Sequence, residues 1–174
     1  MPARNRIKSY KKGGLYYIYS RGIEKLEVFG EDADYKFFLE LVKRYAVKIE
    51  LVAYCLLPTS IHLIVRQEEE KGMTGFMRRV NTAYVMYFNN KYRRRGTLFE
   101  GSYKAVSVDE GELTDFVKFV HAKPLELSTR RFGIVETRPG FKPEEYLYSS
   151  NNGEVLGKTI DGVKERLGEK VRGL

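Results

Sequence analysis

Two histidines, one cysteine and 13 tyrosines carry most of the chemistry open to this sequence. His62 follows Ser60 by two positions in Pro58-Thr59-Ser60-Ile61-His62-Leu63, and on a strand residues two apart point to the same side. A hydroxyl beside an imidazole suggests a nucleophile and its base, yet no acid is at hand to orient the ring. As a metal ligand His62 stands alone, where divalent-ion sites use three or more donors. The plainer reading is a polar-face histidine hydrogen-bonded to Ser60 or to water. Cys55, inside an apolar strand, reads as a packed thiol. Tyr84 and Tyr87 fall on an apolar helical stripe and read as core. Tyr103, next to Lys104, is the tyrosine best suited to stand in as a nucleophile.

The basic residues are more numerous than any of these. The 174-residue chain carries 31 Lys and Arg against 23 Asp and Glu, a net charge of +8. Arg4, Arg6, Lys8, Lys11 and Lys12 form an N-terminal arm without an acid, and Arg93, Arg94 and Arg95 crowd one loop. Such side chains bind phosphates through charge and forked hydrogen bonds. Tyr16, Tyr17, Tyr92 and Tyr103 are interleaved with them, and their rings suit the stacking of unpaired bases. A hydrophobic fraction of 43% excludes a disordered chain. One cysteine excludes a disulfide framework and a cysteine-based zinc finger. No apolar run approaches the roughly 20 residues that span a bilayer, and LYYIY is too short for a signal-peptide core. The expectation is a cytoplasmic protein that meets polyanions and no membrane.

The elements that must position these residues alternate in type. Residues 15–20 read as an aromatic-rich strand ended by Arg21-Gly22. Acids in GEDAD favour a helix start, and Phe37, Phe38, Leu41, Val42 and Tyr45 follow at helical spacing over 33–47. A strand over 49–57 puts Ile49, Leu51, Ala53, Cys55 and Leu57 on one side and Val52, Tyr54 and Leu56 on the other. After the tight link Pro58-Thr59, a strand over 60–67 pairs with it as a hairpin. A second helix covers 71–91, a strand with a glycine irregularity covers 98–108, and Asp109 with Glu112 reads as a capping box opening a third helix near 110–123. This order predicts an α+β, ferredoxin-like split βαβ sandwich with a four-stranded antiparallel sheet and an added third helix. Residues 1–150 make the domain; 151–174 read as a short polar tail with Ile160, Val163, Leu167 and Val171 at loosely helical spacing.

Three segments taken together, YIYSRGIEKLEVF, LVAYCLLPTSIHLIVRQ and NTAYVMYFNNKYRRRGTLFEGSYKAVSV, resemble in order and spacing the REP-associated tyrosine transposases and related small insertion-sequence transposases of the HUH superfamily. FVKFVHAKPLELS and EEYLYSS extend the likeness to about Ser150. The resemblance implies a single-tyrosine nuclease for single-stranded DNA. A His-apolar-His pair and a polar residue on the third helix hold a divalent metal, which polarises the scissile phosphate, and a tyrosine on that helix attacks it. Here Ser60-Ile61-His62 stands where His-apolar-His is expected, so His62 is the remaining member of the metal pair. Phe119-Val120-His121-Ala122-Lys123-Pro124 stands where Tyr-apolar-x-x-Asn-Pro is expected, which puts Phe119 at the nucleophile position and Lys123 at the third ligand position. No tyrosine lies between Tyr103 and Tyr146. His121 is roughly 200° round the helix from Phe119 and should not join the site.

The resulting reading is a DNA-binding relative of these transposases that recognises hairpin or single-stranded repeat DNA. Arg4, Arg6, Lys8, Lys11, Lys12, Arg21, Arg93, Arg94, Arg95 and Lys104 are its candidate DNA contacts. It has no intact catalytic residue and no expected cofactor. Two alternatives stand beside it. One is a working transposase with non-standard residues and Mg or Mn at the site. The other is an RNA-binding module, because the RRM shares the βαββαβ order, although SIHLIVRQ lacks that module's aromatic signature. Relatives of this kind occur as monomers and as dimers, so a homodimer stays open.

Overall fold

The computed structural model describes residues 9–124 and 148–150. Arg4, Arg6, Lys8 and the 151–174 tail lie outside them. Four strands, β1 (Leu15–Arg21), β2 (Ile49–Leu57), β3 (Ser60–Gln67) and β4 (Lys104–Val108), form one sheet in the order β2-β3-β1-β4. Every neighbouring pair is antiparallel. Helices α1 (Asp32–Tyr45) and α2 (Gly72–Lys91) connect β1 to β2 and β3 to β4, and α3 (Leu113–His121) follows β4. This is the expected ferredoxin-like arrangement.

The α1 start is capped reciprocally: the Glu31 side chain accepts from the Asp34 backbone, and the Asp34 side chain accepts from the Glu31 backbone. Asp32 and Asp34 lie in its first turn and Lys43 and Arg44 in its last, as the helix dipole favours. Tyr35, Phe38, Leu41 and Val42 of α1 and Met73, Phe76, Met77, Val80, Tyr84 and Phe88 of α2 pack in one core with Tyr16, Ile18, Leu63 and Val65 of the sheet. A second, smaller core lies on the opposite face, where Leu113, Val117 and Val120 of α3 meet Val52, Ala53, Cys55, Leu57 and Ile64. The third helix therefore sits across the sheet from the first two.

Two strand expectations need correction. The β2 faces are not the expected ones: Ile49 and Leu51 share the main core with Tyr54 and Leu56, while Val52, Ala53, Cys55 and Leu57 turn to α3. The register slips between Leu51 and Ala53, and one extra residue reverses the parity of everything after it. The last strand begins at Lys104, not at 98. Gly101, at φ +68, turns the chain, while Leu98 and Phe99 are buried ahead of the strand and Phe99 bridges Gly22. The capping box at Asp109 and Glu112 is present, but it closes a 3-10 turn (Glu110–Glu112) that leads into α3.

The turn before Ser60 is tied to the loop after β1. Gly22 N donates to Thr59 O at 2.9 Å and Val28 N to Pro58 O at 2.7 Å. A Cβ at Gly22 would sit 2.0 Å from the Leu26 carbonyl oxygen, so only glycine allows this approach. At the far side of the sheet, residues 148–150 lie along β2: Leu56 N donates to Tyr148 O at 2.9 Å, Cys55 bridges Ser149, and Tyr54 N donates to Ser150 Oγ at 2.9 Å.

Candidate nucleic-acid interface

His62 points from β3 to the α3 face and is only 3% exposed. Both ring nitrogens are hydrogen-bonded. Nε2 lies 2.9 Å from Ser60 Oγ and Nδ1 lies 2.8 Å from Tyr17 Oη. A neutral imidazole has one N–H and one lone pair, so it donates one of these bonds and accepts the other. Burial, and then the charge of Lys123, push the His62 pKa down to about 3, so the ring is neutral at cellular pH. Tyr19, opposite His62 in the β1–β3 register, stacks on it with centroids 5.2 Å apart.

From the other side comes α3. Phe119 meets the Tyr17 ring edge-on at 5.6 Å, so Tyr17 touches both His62 and Phe119. Lys123 Nζ lies 4.0 Å from the Phe119 ring centroid, a cation–π distance. Phe119 remains 46% exposed. Lys104 Nζ lies 5.8 Å from the Tyr19 centroid. The structure thus brings Ser60, His62, Phe119, Lys123 and Lys104 to one face of the sheet, with Tyr17 and Tyr19 joining them.

Residues 22–123 match the sequence model of the family described as "Transposase IS200 like". The chain belongs to this family. The structure resembles that of a REP-associated tyrosine transposase bound to a REP hairpin, with a TM-score of 0.62 at 12% identity over 86% of this chain and 82% of that one. It also overlaps a candidate transposase from Deinococcus radiodurans R1, with a TM-score of 0.44 at 16% identity over 71% of this chain and 97% of that one. No curated protein matches the sequence. Among the described residues no helix is long and apolar enough to cross a membrane.

In this transposase-family chain the remaining sequence candidates fall in different places. His121 Nε2 lies 2.8 Å from Ser150 Oγ, away from His62. Tyr103 accepts a hydrogen bond from Tyr10 at 3.2 Å and packs against the main core, on the other side of the sheet from His62. Tyr16 is 3% exposed in that same core and has no face open to a base. Arg21 is ion-paired with Glu100, both half-exposed. Lys11 and Lys12 are exposed before β1, and Arg93 and Arg95 are exposed beyond α2. Arg94 donates to Asn89 Oδ1 at 3.2 Å and lies 6.0 Å from the Phe88 ring.

Two residues escaped the sequence reading. Tyr17, in its role beside His62, is one. The other is Asp34, fully buried at the start of α1. It accepts hydrogen bonds from Tyr92 Oη at 2.6 Å, Lys91 Nζ at 2.6 Å and Tyr87 Oη at 2.9 Å, and from the backbone N–H of Gly30 at 2.8 Å. Burial by itself would raise its pKa. The bonds from Lys91, Tyr92, Gly30 and Tyr87 outweigh burial and hold it below the ordinary carboxylate value. This carboxylate fixes the last turn of α2, from which the Arg93–Arg95 loop departs.

Proposed function

We propose that this IS200-like transposase-family protein binds hairpin-bearing or single-stranded repeat DNA in the cytoplasm and holds it without cutting. One observation carries the absence of cutting: both ring nitrogens of His62 are taken by protein hydroxyls. A divalent ion would need a nitrogen lone pair and further anionic or neutral donors. Here Ser60 offers a hydroxyl in place of an imidazole, and Lys123 brings positive charge to the position of a ligand. These residues do not fit Mg²⁺ or Mn²⁺, and among the described residues no three His, Cys, Asp or Glu side chains cluster as ligands. Phe119 has no oxygen with which to attack a phosphate.

DNA binding is supported by family membership and by a fold shared with a transposase bound to a REP hairpin. It is supported too by the net charge of +8 and by the exposed Lys11, Lys12, Arg93, Arg95 and Lys104. Arg4, Arg6 and Lys8 extend this set, with Arg94 and Arg21 held at its margins. The binding unit is 1–150, and 151–174 is an appended tail.

The test incubates the protein with labelled hairpin-bearing single-stranded DNA and Mn²⁺ and separates the products on native and denaturing gels. A shifted band on the native gel with no protein-linked band on the denaturing gel is the expected result. A second reading, a working transposase with a displaced nucleophile, draws on the Tyr17 hydroxyl held by His62 at 2.8 Å. A covalent adduct that maps to Tyr17 would establish that reading in place of the first.

A further inference from the structure

The chain leaves α2 through a Schellman-type cap. Arg94 N donates to Asn89 O at 2.8 Å and Arg93 N to Asn90 O at 3.4 Å, the paired bonds of that motif. Its left-handed position is Arg93, at φ +51, where glycine is the usual residue because a Cβ is disfavoured there. The next arginine turns back on the helix: Arg94 donates to Asn89 Oδ1 at 3.2 Å, and its guanidinium lies 6.0 Å from the Phe88 ring centroid. Arg93 and Arg95, on either side of it, are exposed. We propose that Arg93 and Arg95 form a fixed pair of guanidiniums for the phosphates of DNA, that Arg94 is the brace between them, and that Asn89 is the positioning residue of the pair. The proposal rests on the DNA-binding reading and divides the roles within the arginine run.

Three observations carry it. First, the bonds of the cap are made by the backbone and do not need the Arg93 side chain. A residue held in a disfavoured conformation without a packing reason points to a use of its side chain outside the fold. Second, the loop is held by side chains at both ends. Asn89 Nδ2 donates to Gly96 O at 2.9 Å while its Oδ1 accepts from Arg94, so one amide spans the loop from within. At the entry, Tyr92 Oη and Lys91 Nζ both donate to Asp34, and a Cβ at Gly30 would lie 2.6 Å from the Tyr92 hydroxyl. A loop fixed in this way loses less conformational entropy when it binds. Third, the charges are sorted. Lys91 is ion-paired with Asp34 and Glu31 and Arg94 is turned inward, while Arg93 and Arg95 present to solvent the forks that match phosphate oxygens. The helix behind them, GMTGFMRRVNTAYVMYFNNK, contains no acid to oppose a polyanion.

The test titrates a fluorescein-labelled, hairpin-bearing single-stranded DNA with each variant at several KCl concentrations and compares thermal melts. Arg93→Gly keeps the cap and removes the guanidinium. It should leave Tm unchanged or raise it, while lowering the slope of log affinity against log salt by roughly 0.7–0.9. Arg93→Asn, which also tolerates the left-handed region, should repeat the loss of slope. Arg95→Gln should lower the slope by about the same amount. Arg94→Gln retains an amide donor for Asn89 and should keep the wild-type affinity and slope. Asn89→Ala should weaken binding at every salt concentration with the slope unchanged, because the charges remain and their placement is lost. A slope lowered by Arg94→Gln as much as by Arg95→Gln, or left unchanged by both Arg93 variants, would overturn the division of roles while the DNA-binding reading stands. Wild-type affinity in Asn89→Ala would overturn its positioning role. Failure of the wild type to bind the DNA at any salt concentration would overturn that reading and the proposal with it.

Discussion

The Tyr17 hydroxyl lies 2.8 Å from Nδ1 of His62, and this bond joins β1 to the strand that carries the transposase-like motif. With Ser60 on Nε2, the ring is enclosed by its own protein. A proton on both nitrogens would make the ring donate to both hydroxyls and place a charge in a buried site near Lys123.

The pH dependence of stability follows. The His62 pKa is about 3 in the folded chain and about 6.5 when unfolded. Between these values the unfolded state binds the extra proton, so stability falls as pH drops below about 6.5, by up to about 1.4 kcal/mol per pH unit. Urea unfolding at pH 7, 5.5 and 4.5 should show this slope, and His62→Gln should flatten it. A wild-type stability that is constant over this range would contradict the burial of a neutral ring.

Restoring the nucleophile alone should not restore chemistry. Phe119→Tyr should give no protein-linked DNA on a denaturing gel with Mn²⁺, because Ser60 and Lys123 remain. The combination of Ser60→His, Phe119→Tyr and Lys123→Asn should bind Mn²⁺ in calorimetric titration where the wild type does not. A covalent band from Phe119→Tyr by itself would show that the phosphate needs no metal here.

Binding to DNA should fall with salt. Replacing Arg93, Arg94 and Arg95 by Ala should weaken binding and lower the slope of log affinity against log salt by roughly 0.7–0.9 for each phosphate no longer neutralised. Fluorescence anisotropy at several KCl concentrations measures both effects. An unchanged slope would remove the arginine loop from the interface.

Asp34 should matter far beyond its size. Asp34→Ala leaves Lys91 and two tyrosine hydroxyls without their shared acceptor, at a cost of about 3 kcal/mol, or roughly 6–12 °C in Tm for a chain of this length. Asp34→Asn keeps the shape and should cost less. Thermal melts of the two variants give the comparison, and equal melting of Asp34→Ala and wild type would show that the buried cluster contributes nothing.

The order of the elements was legible because helical and strand periodicities differ plainly in this chain, and the Ser60–His62 bond followed from their spacing on one strand. The contacts of Tyr17 were not legible. They depend on the β1–β3 register, which places Tyr17 opposite Ile64 and Tyr19 opposite His62, and no local pattern in LYYIYS specifies that register. The parity reversal in β2 was hidden because LVAYCLL is apolar on both faces, so an inserted residue leaves no break in alternation. Asp34 was readable as an acid at a helix start, but its partners Tyr87, Lys91 and Tyr92 come from the far end of another helix. Tyr16 read as a base-stacking ring because its neighbours are basic, whereas its place in the alternation of β1 sends it into the main core.

The three residues 148–150 have a consequence for proteostasis. They occupy the outer edge of β2, a strand in which every residue is buried. An unprotected edge of such composition is a template for intermolecular pairing. A protease clip or a premature stop before Tyr148 would strip the cover from this wholly buried strand while leaving the four strands and three helices of the described residues encoded. Residues 148–150 thus shield the β2 edge, and truncation before them should promote aggregation for a reason independent of DNA.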